Sequence, residues 1–310
     1  MSDTSKFRVT SKLALATVAL MFGLIVLGSI VRTTGSGLAC PDWPLCQGRL
    51  FPPFQFNAMI EWFHRLVALL VSLLLVSTVG WVMAHPPLRA RLGGLAVLAA
   101  GLLAAQVLLG ALTVWKLLDP AVVGGHLGVA LLLFSTLLAI ALVAAANAEP
   151  DRAILDERPA GLLPLFSFAA AAIYGQSLLG GIVSAHAAGL ACPDWPTCGG
   201  LWFPPMQGNV GLQVAHRWGA YGLVALMMVV ALRARVAADP VIARVGSLLL
   251  ALALGQIALG VANVVMGLTV WLSAAHLANA AGMLALTIAS TFRLASAPAA
   301  RSALTPAVTS

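Results

Sequence analysis

A chain of 310 residues that is 61% hydrophobic and only 9% charged, with a mean hydropathy of +0.98, cannot be an ordinary soluble domain of its length. Its net charge of +7 comes from 17 Lys and Arg set against 10 Asp and Glu, and those basic residues cluster at helix-connecting positions. The charge reflects membrane topology and excludes a nucleic-acid-binding surface.

Eight stretches are apolar and long enough to cross roughly 30 Å of hydrocarbon as helices. They fall at about 13–31, 62–83, 93–115, 124–146, 161–184, 212–232, 244–268 and 273–293. The first could be mistaken for a secretory signal, but its roughly 19 residues exceed a usual signal core and no small-x-small cleavage site follows it. Gly37-Leu38-Ala39-Cys40 has a faint likeness to a lipoprotein site, yet the same tetrad recurs in mid-chain at 189–192, where such a site could not act. Segment 1 is therefore read as a retained helix.

The N-terminus, the second, fourth and sixth loops and the C-terminal tail hold 12 of the 17 Lys and Arg, Arg89, Arg152, Arg233 and Arg301 among them. This bias places both termini in the cytoplasm. The first and fifth loops then lie outside.

An internal repeat organises the chain. Gly37 to Pro44 recurs as Gly189 to Pro196 at a shift of 152 residues, as do Cys46, Phe51-Pro52-Pro53 and His64-Arg65. Gln106, Gly110 and His126 find Gln256, Gly260 and His276 at a shift of 150. The expected architecture is all-α, with two pseudo-symmetric four-helix bundles: an N-terminal unit at 1–148, a cytoplasmic linker at 149–160 and a C-terminal unit at 161–310. An even number of helices per unit makes the copies parallel, related by an axis along the membrane normal.

Both cysteine pairs fall in the outer loops, in the pattern Cys-Pro-Asp-Trp-Pro-x-Cys. Two local disulfides, Cys40–Cys46 and Cys192–Cys198, are expected in an oxidising compartment. A loop staple and a redox role in turnover or partner exchange are both open. Zinc is disfavoured, since neither pair has the usual close ligand spacing.

His64 and His216 lie one or two turns inside the outer ends of segments 2 and 6, and His126 and His276 lie in the first turns of segments 4 and 8. All four share one depth. Within each unit, two imidazoles facing each other through an apolar bundle meet the requirement for axial heme ligation; helix-to-helix hydrogen bonding and proton relay are the other readings. Arg65 and Arg217 are candidates to meet heme propionates or to snorkel to lipid headgroups. His85 and His186 have no repeat counterpart and are read as loop residues.

Glu61 breaks the symmetry. It precedes His64 by three residues and shares its helix face, whereas the repeat has Gln213 before His216. Only the first unit has a group able to exchange a proton beside its histidine, unless Glu61 is a solvated interfacial carboxylate.

Thr34 to Cys46, Glu61-x-x-His64-Arg65, His126, His216-Arg217 and His276 together resemble the heme A synthase family, across essentially all eight segments. The resemblance implies a multi-pass enzyme of the bacterial inner membrane with its heme sites toward the outer side. Such an enzyme oxidises a ring methyl group of heme O to the formyl group of heme A for cytochrome oxidase assembly. It further implies that His216 and His276 ligate a permanent heme b cofactor, that His64 and His126 hold the substrate heme O, and that Glu61 assists the oxidation. Cys40–Cys46 would serve the substrate side, and Cys192–Cys198 would be structural. Heme O synthase, an unidentified electron donor and membrane lipid are the implied partners, with homo-oligomerisation open and no nucleic acid. A di-heme b-type electron-transfer cytochrome is the alternative, and a thiol oxidase would leave the four histidines unexplained.

Overall fold

In the computed structural model, which describes residues 1–149, 158–237 and 239–298, the described residues form helices and connecting turns, with no strand among them. The eight long helices are α1 (Asp3–Thr33), α2 (Phe56–Ala84), α3 (Pro86–Trp115), α4 (Pro120–Ala148), α5 (Leu162–Ala185), α6 (Gly208–Arg235), α7 (Pro240–Val265) and α8 (Val270–Ala295). All are long and apolar enough to cross a membrane, so the chain is a multi-pass membrane protein.

Most helices run past the stretches expected from hydropathy. At 31 residues α1 is roughly 46 Å long, against about 30 Å of hydrocarbon. Hydropathy registers only the part in the hydrocarbon, while side-chain caps mark the starts of α1, α4 and α7. Ser2 caps α1 by accepting from the Ser5 amide. Asp119 and Asp239 cap α4 and α7, each followed by a proline at the first helical position, where the missing N–H costs nothing.

Each helix packs on its sequence neighbours, and α1 with α4 and α5 with α8 close the two sets. The sets meet through α1, α4, α5 and α8. This pairing is compatible with the two-unit division expected from the repeat.

At the centre α4 is buried almost all round, with Leu131, Phe134 and Leu137 fully enclosed. Small residues allow the close approach of α4 and α5. Gly128 faces Leu178 and the Tyr174 hydroxyl, and a side chain at Gly181 would collide with Leu127. At the pseudo-axis Arg32 Nε donates to Ser184 Oγ at 2.7 Å, a contact between two positions that correspond in the repeat.

Most of the expected linker, with Arg152, and the tail with Arg301 lie outside the described residues. Arg158 is described, and it donates to the Leu294, Ala295 and Ala297 carbonyls, satisfying the exposed end of α8.

Candidate functional site

The four histidines lie six to eight residues inside helix ends on the same side as the disulfide loops. That is roughly 9–12 Å of helical rise from those ends. Each imidazole packs on a glycine of the neighbouring helix. A Cβ at Gly28 would lie 3.5 Å from His64 Cε1, at Gly110 3.3 Å from His126, at Gly180 2.8 Å from His216 and at Gly260 3.1 Å from His276. Gly28 and Gly180 correspond in the repeat, as do Gly110 and Gly260. The glycines therefore seat the rings themselves, a use that their sequence positions alone do not distinguish from helix packing.

The His216 and His276 rings face each other with centroids 6.4 Å apart and planes at 69°. Roughly 6 Å is the spacing two imidazoles need to share one metal ion, given metal–nitrogen bonds of about 2 Å. The Nδ1 atoms of His64, His126 and His276 are buried without a hydrogen-bond partner, a costly state for a polar atom unless a ligand uses the ring. Apolar walls, a facing imidazole pair at His216/His276 and buried ring nitrogens without partners fit a heme held between histidines.

Gln106 Nε2 lies 3.3 Å from His126 Nε2, and at His216 it is Nδ1 that has an amide partner. Gln176 Nε2 lies 3.0 Å from its Nδ1 and donates to its backbone carbonyl at 2.7 Å. Room for this amide exists because residue 219 is glycine; a Cβ there would collide with Gln176 Oε1. The corresponding positions of the first unit are Leu24 and Val67, an apolar pair. Sequence reading missed Gln176, because a lone glutamine in a hydrophobic helix carries no motif, although comparing the repeats position by position isolates it.

The outer loops are two copies of one clamp. Cys40–Cys46 and Cys192–Cys198 are disulfide-bonded. Cys46 and Arg49 exchange backbone hydrogen bonds, as do Cys198 and Leu201. Asp42 accepts from the Gly48 and Gln47 amides, and Asp194 from the Thr197 hydroxyl and the Gly200 and Gly199 amides. These donors hold both carboxyls below the usual carboxylate range, the Gly48 amide leading for Asp42 and the Thr197 hydroxyl for Asp194.

Arg65 and Arg217 complete the clamp. Arg65 donates to the Cys40, Asp42 and Leu45 carbonyls, and Arg217 to those of Cys192, Asp194 and Thr197. The terminal nitrogens of both guanidiniums are engaged by loop carbonyls, a use that the sequence expectation of propionate or lipid contact did not include. Arg217→Ala should leave three carbonyls without a donor and loosen the loop, read as faster amide exchange over 192–201. Unchanged protection there would contradict this.

Glu61 is buried, at 4% exposure, and so is not a solvated interfacial carboxylate. Its Oε2 accepts from the Cys40 amide at 2.8 Å and its Oε1 pairs with Arg65 at 2.6 Å. Gln213, equally buried, instead donates to the Gly189 carbonyl at 3.1 Å. The first unit thus carries a fixed anion one turn from His64, tied to the disulfide loop, where the second carries a neutral amide. His85 contacts the Trp81 carbonyl and His186 the Ile182 carbonyl, each on its own helix end and apart from the paired rings.

The family model described as COX15-CtaA, cytochrome oxidase assembly protein, matches residues 11–55 and 53–288. A curated heme A synthase of Symbiobacterium thermophilum is 33% identical over 223 residues, covering 69% of this chain and 72% of that protein. The heme A synthase of Shewanella oneidensis is 30% identical over 315 residues, covering 87% and 92%, and that of a Methylobacterium strain is 29% identical, covering 87% and 88%.

Proposed function

The chain belongs to the COX15-CtaA family of cytochrome oxidase assembly proteins, and from that premise we propose that it is a heme A synthase. It converts a ring methyl group of heme O into the formyl group of heme A. His216 and His276 hold a resident heme b; His64 and His126 hold the substrate, toward the outer side of the bacterial inner membrane with both termini cytoplasmic. The observation that carries this reading is the unequal furnishing of two otherwise matching histidine pairs, with Glu61 beside one and Gln213 with Gln176 beside the other.

Resident heme b supplies electron relay when bound. Gln176 braces His216, as outer groups brace metal-bound imidazoles. Its Nε2 donates to the His216 carbonyl and lies 3.0 Å from Nδ1, so the amide fixes both the backbone and the ring. His64 has Leu24 in that place and no such brace, which suits a ligand that must release its heme as product. Gln176→Leu should weaken heme b retention by about 10–100-fold, measured by heme transfer to a soluble apoprotein scavenger. An unchanged transfer rate would remove Gln176 from this role.

On the substrate side two successive hydroxylations take the methyl group to an alcohol and then a geminal diol. Each inserts one atom of dioxygen into a C–H bond while two electrons from the separate electron donor and two protons reduce the other atom to water, and the diol loses water to give the aldehyde. Glu61, paired with Arg65 and the Cys40 amide, is suited to stabilise positive charge developing on that carbon rather than to shuttle protons. Heme O synthase as donor of the substrate and a separate electron donor complete the reading. Purified protein supplied with heme O and an electron carrier should form first the alcohol and then the formyl heme by chromatography. Recovery of unaltered heme O would favour a di-heme electron-transfer protein.

A further inference from the structure

Two axial histidines fix the plane of a heme but leave it free to rotate about the axis joining them. Oxidation of one particular ring methyl group requires something else to set that rotation. Heme O differs from heme b in carrying a long farnesyl-type isoprenoid tail in place of a vinyl group, so the tail can serve as the handle.

An apolar groove of about 600 Å³ runs between α2 and α3. Its lining spans Ala100 to Trp115 on α3, roughly 22 Å of helical rise, a length suited to an extended isoprenoid chain. Leu75 of α2, eleven residues beyond His64 and so on the same helix face, lines it. Leu103 of α3, seven residues before the Gly110 that seats His126, lines it as well. The groove thus runs along the α2 and α3 faces that carry His64 and the Gly110 seat of His126, with neither histidine in its own lining. At its outer end Trp43, from the Cys40–Cys46 loop, meets Trp115 edge-on with ring centroids 6.1 Å apart.

The two repeats differ along this line. Ala100, Ala104 and Ala111 form one stripe on α3, at spacings of four and seven residues, and all three line the groove. Their counterparts on α7 are Leu250, Leu254 and Val261, and Trp115 is replaced by Val265. Leu103 and Leu108 stand opposite Ala253 and Ala258, so the α7 surface is remade rather than uniformly enlarged. The small-residue stripe with its tryptophan roof belongs to the half read as the substrate side. Heme b, read as the ligand of the other half, has no tail to house.

We propose that the α2–α3 groove is the seat of the isoprenoid tail of the substrate heme. This rests on the heme A synthase reading and adds to it the feature that tells substrate from cofactor and sets which ring edge faces Glu61. Lipid is as apolar as the tail, so the groove gains by close packing against alanines rather than by transfer from water.

The test uses purified full-length protein in nanodiscs, retaining its resident heme, titrated with heme O and separately with tailless heme b. Binding at His64/His126 is read from the absorbance change that a His64→Ala control removes. Ala100→Leu with Ala104→Leu installs the residues of the other repeat at positions exposed on the helix surface. Affinity for heme O should fall about tenfold or more, toward that of heme b, while heme b affinity stays unchanged. Leu250→Ala with Leu254→Ala should leave heme O affinity as it was. The proposal is overturned if the alanine replacements leave the heme O to heme b ratio unaltered, as a groove filled by lipid acyl chains would give, or if they weaken both hemes equally. Conversion of heme O by the unaltered protein judges the underlying reading separately. Conversion with an unaltered ratio sinks the groove alone, and a shifted ratio without conversion sinks the enzyme reading alone.

Discussion

Glu61→Gln is expected to abolish heme A formation, by at least about a hundredfold, while both hemes remain bound. The substitution keeps the side-chain shape and removes the anion. Its effect on the loop is bounded by the second repeat, where Gln213 occupies the same position and the Cys192–Cys198 loop is still clamped by three bonds from Arg217. Arg65 makes the matching three bonds to the first loop, so Glu61→Gln loses the 2.6 Å ion pair without dismantling the clamp. Helical content and heme stoichiometry should match the unaltered protein. A variant that makes heme A at the normal rate would show that the carboxylate acts only as loop structure.

His216→Ala and His64→Ala should separate the two sites. His216→Ala leaves His276 without the ring that faces it at 6.4 Å, and the resident heme should be lost by more than the about 10–100-fold that removal of an outer-shell partner costs. Heme A formation should cease with it, since electron relay is gone, yet added heme O should still bind at His64/His126. His64→Ala should do the converse, retaining heme b and failing to bind heme O. The readout is heme content by extraction, with heme O titration of each variant. Loss of both hemes in either variant would mean that the pairs do not form separate sites.

Much of this was legible in the sequence because it repeats itself. Eight apolar stretches, the 152- and 150-residue shifts and four histidines at one depth are properties of spacing, which survive without coordinates. The helix ends were not, since α1 begins at Asp3, capped by Ser2, and α2 at Phe56, both in stretches that hydropathy does not mark. The arginines were legible as important, but their hold on the outer loops was not. Sequence spacing places Arg65 and Arg217 near the outer interface, but only the folded loop shows three carbonyls converging on each guanidinium. Gln176 and Gly219 escaped because their meaning is joint: the amide fits only where a side chain is missing on the neighbouring helix.

The most direct test of the account is the heme content of the protein expressed with and without heme O synthase, by pyridine-hemochrome spectroscopy and chromatography of the extracted hemes. The account predicts heme b alone without the synthase, and heme b together with heme O or heme A when the synthase is present. Heme b alone in both preparations, with no conversion of added heme O, would contradict it.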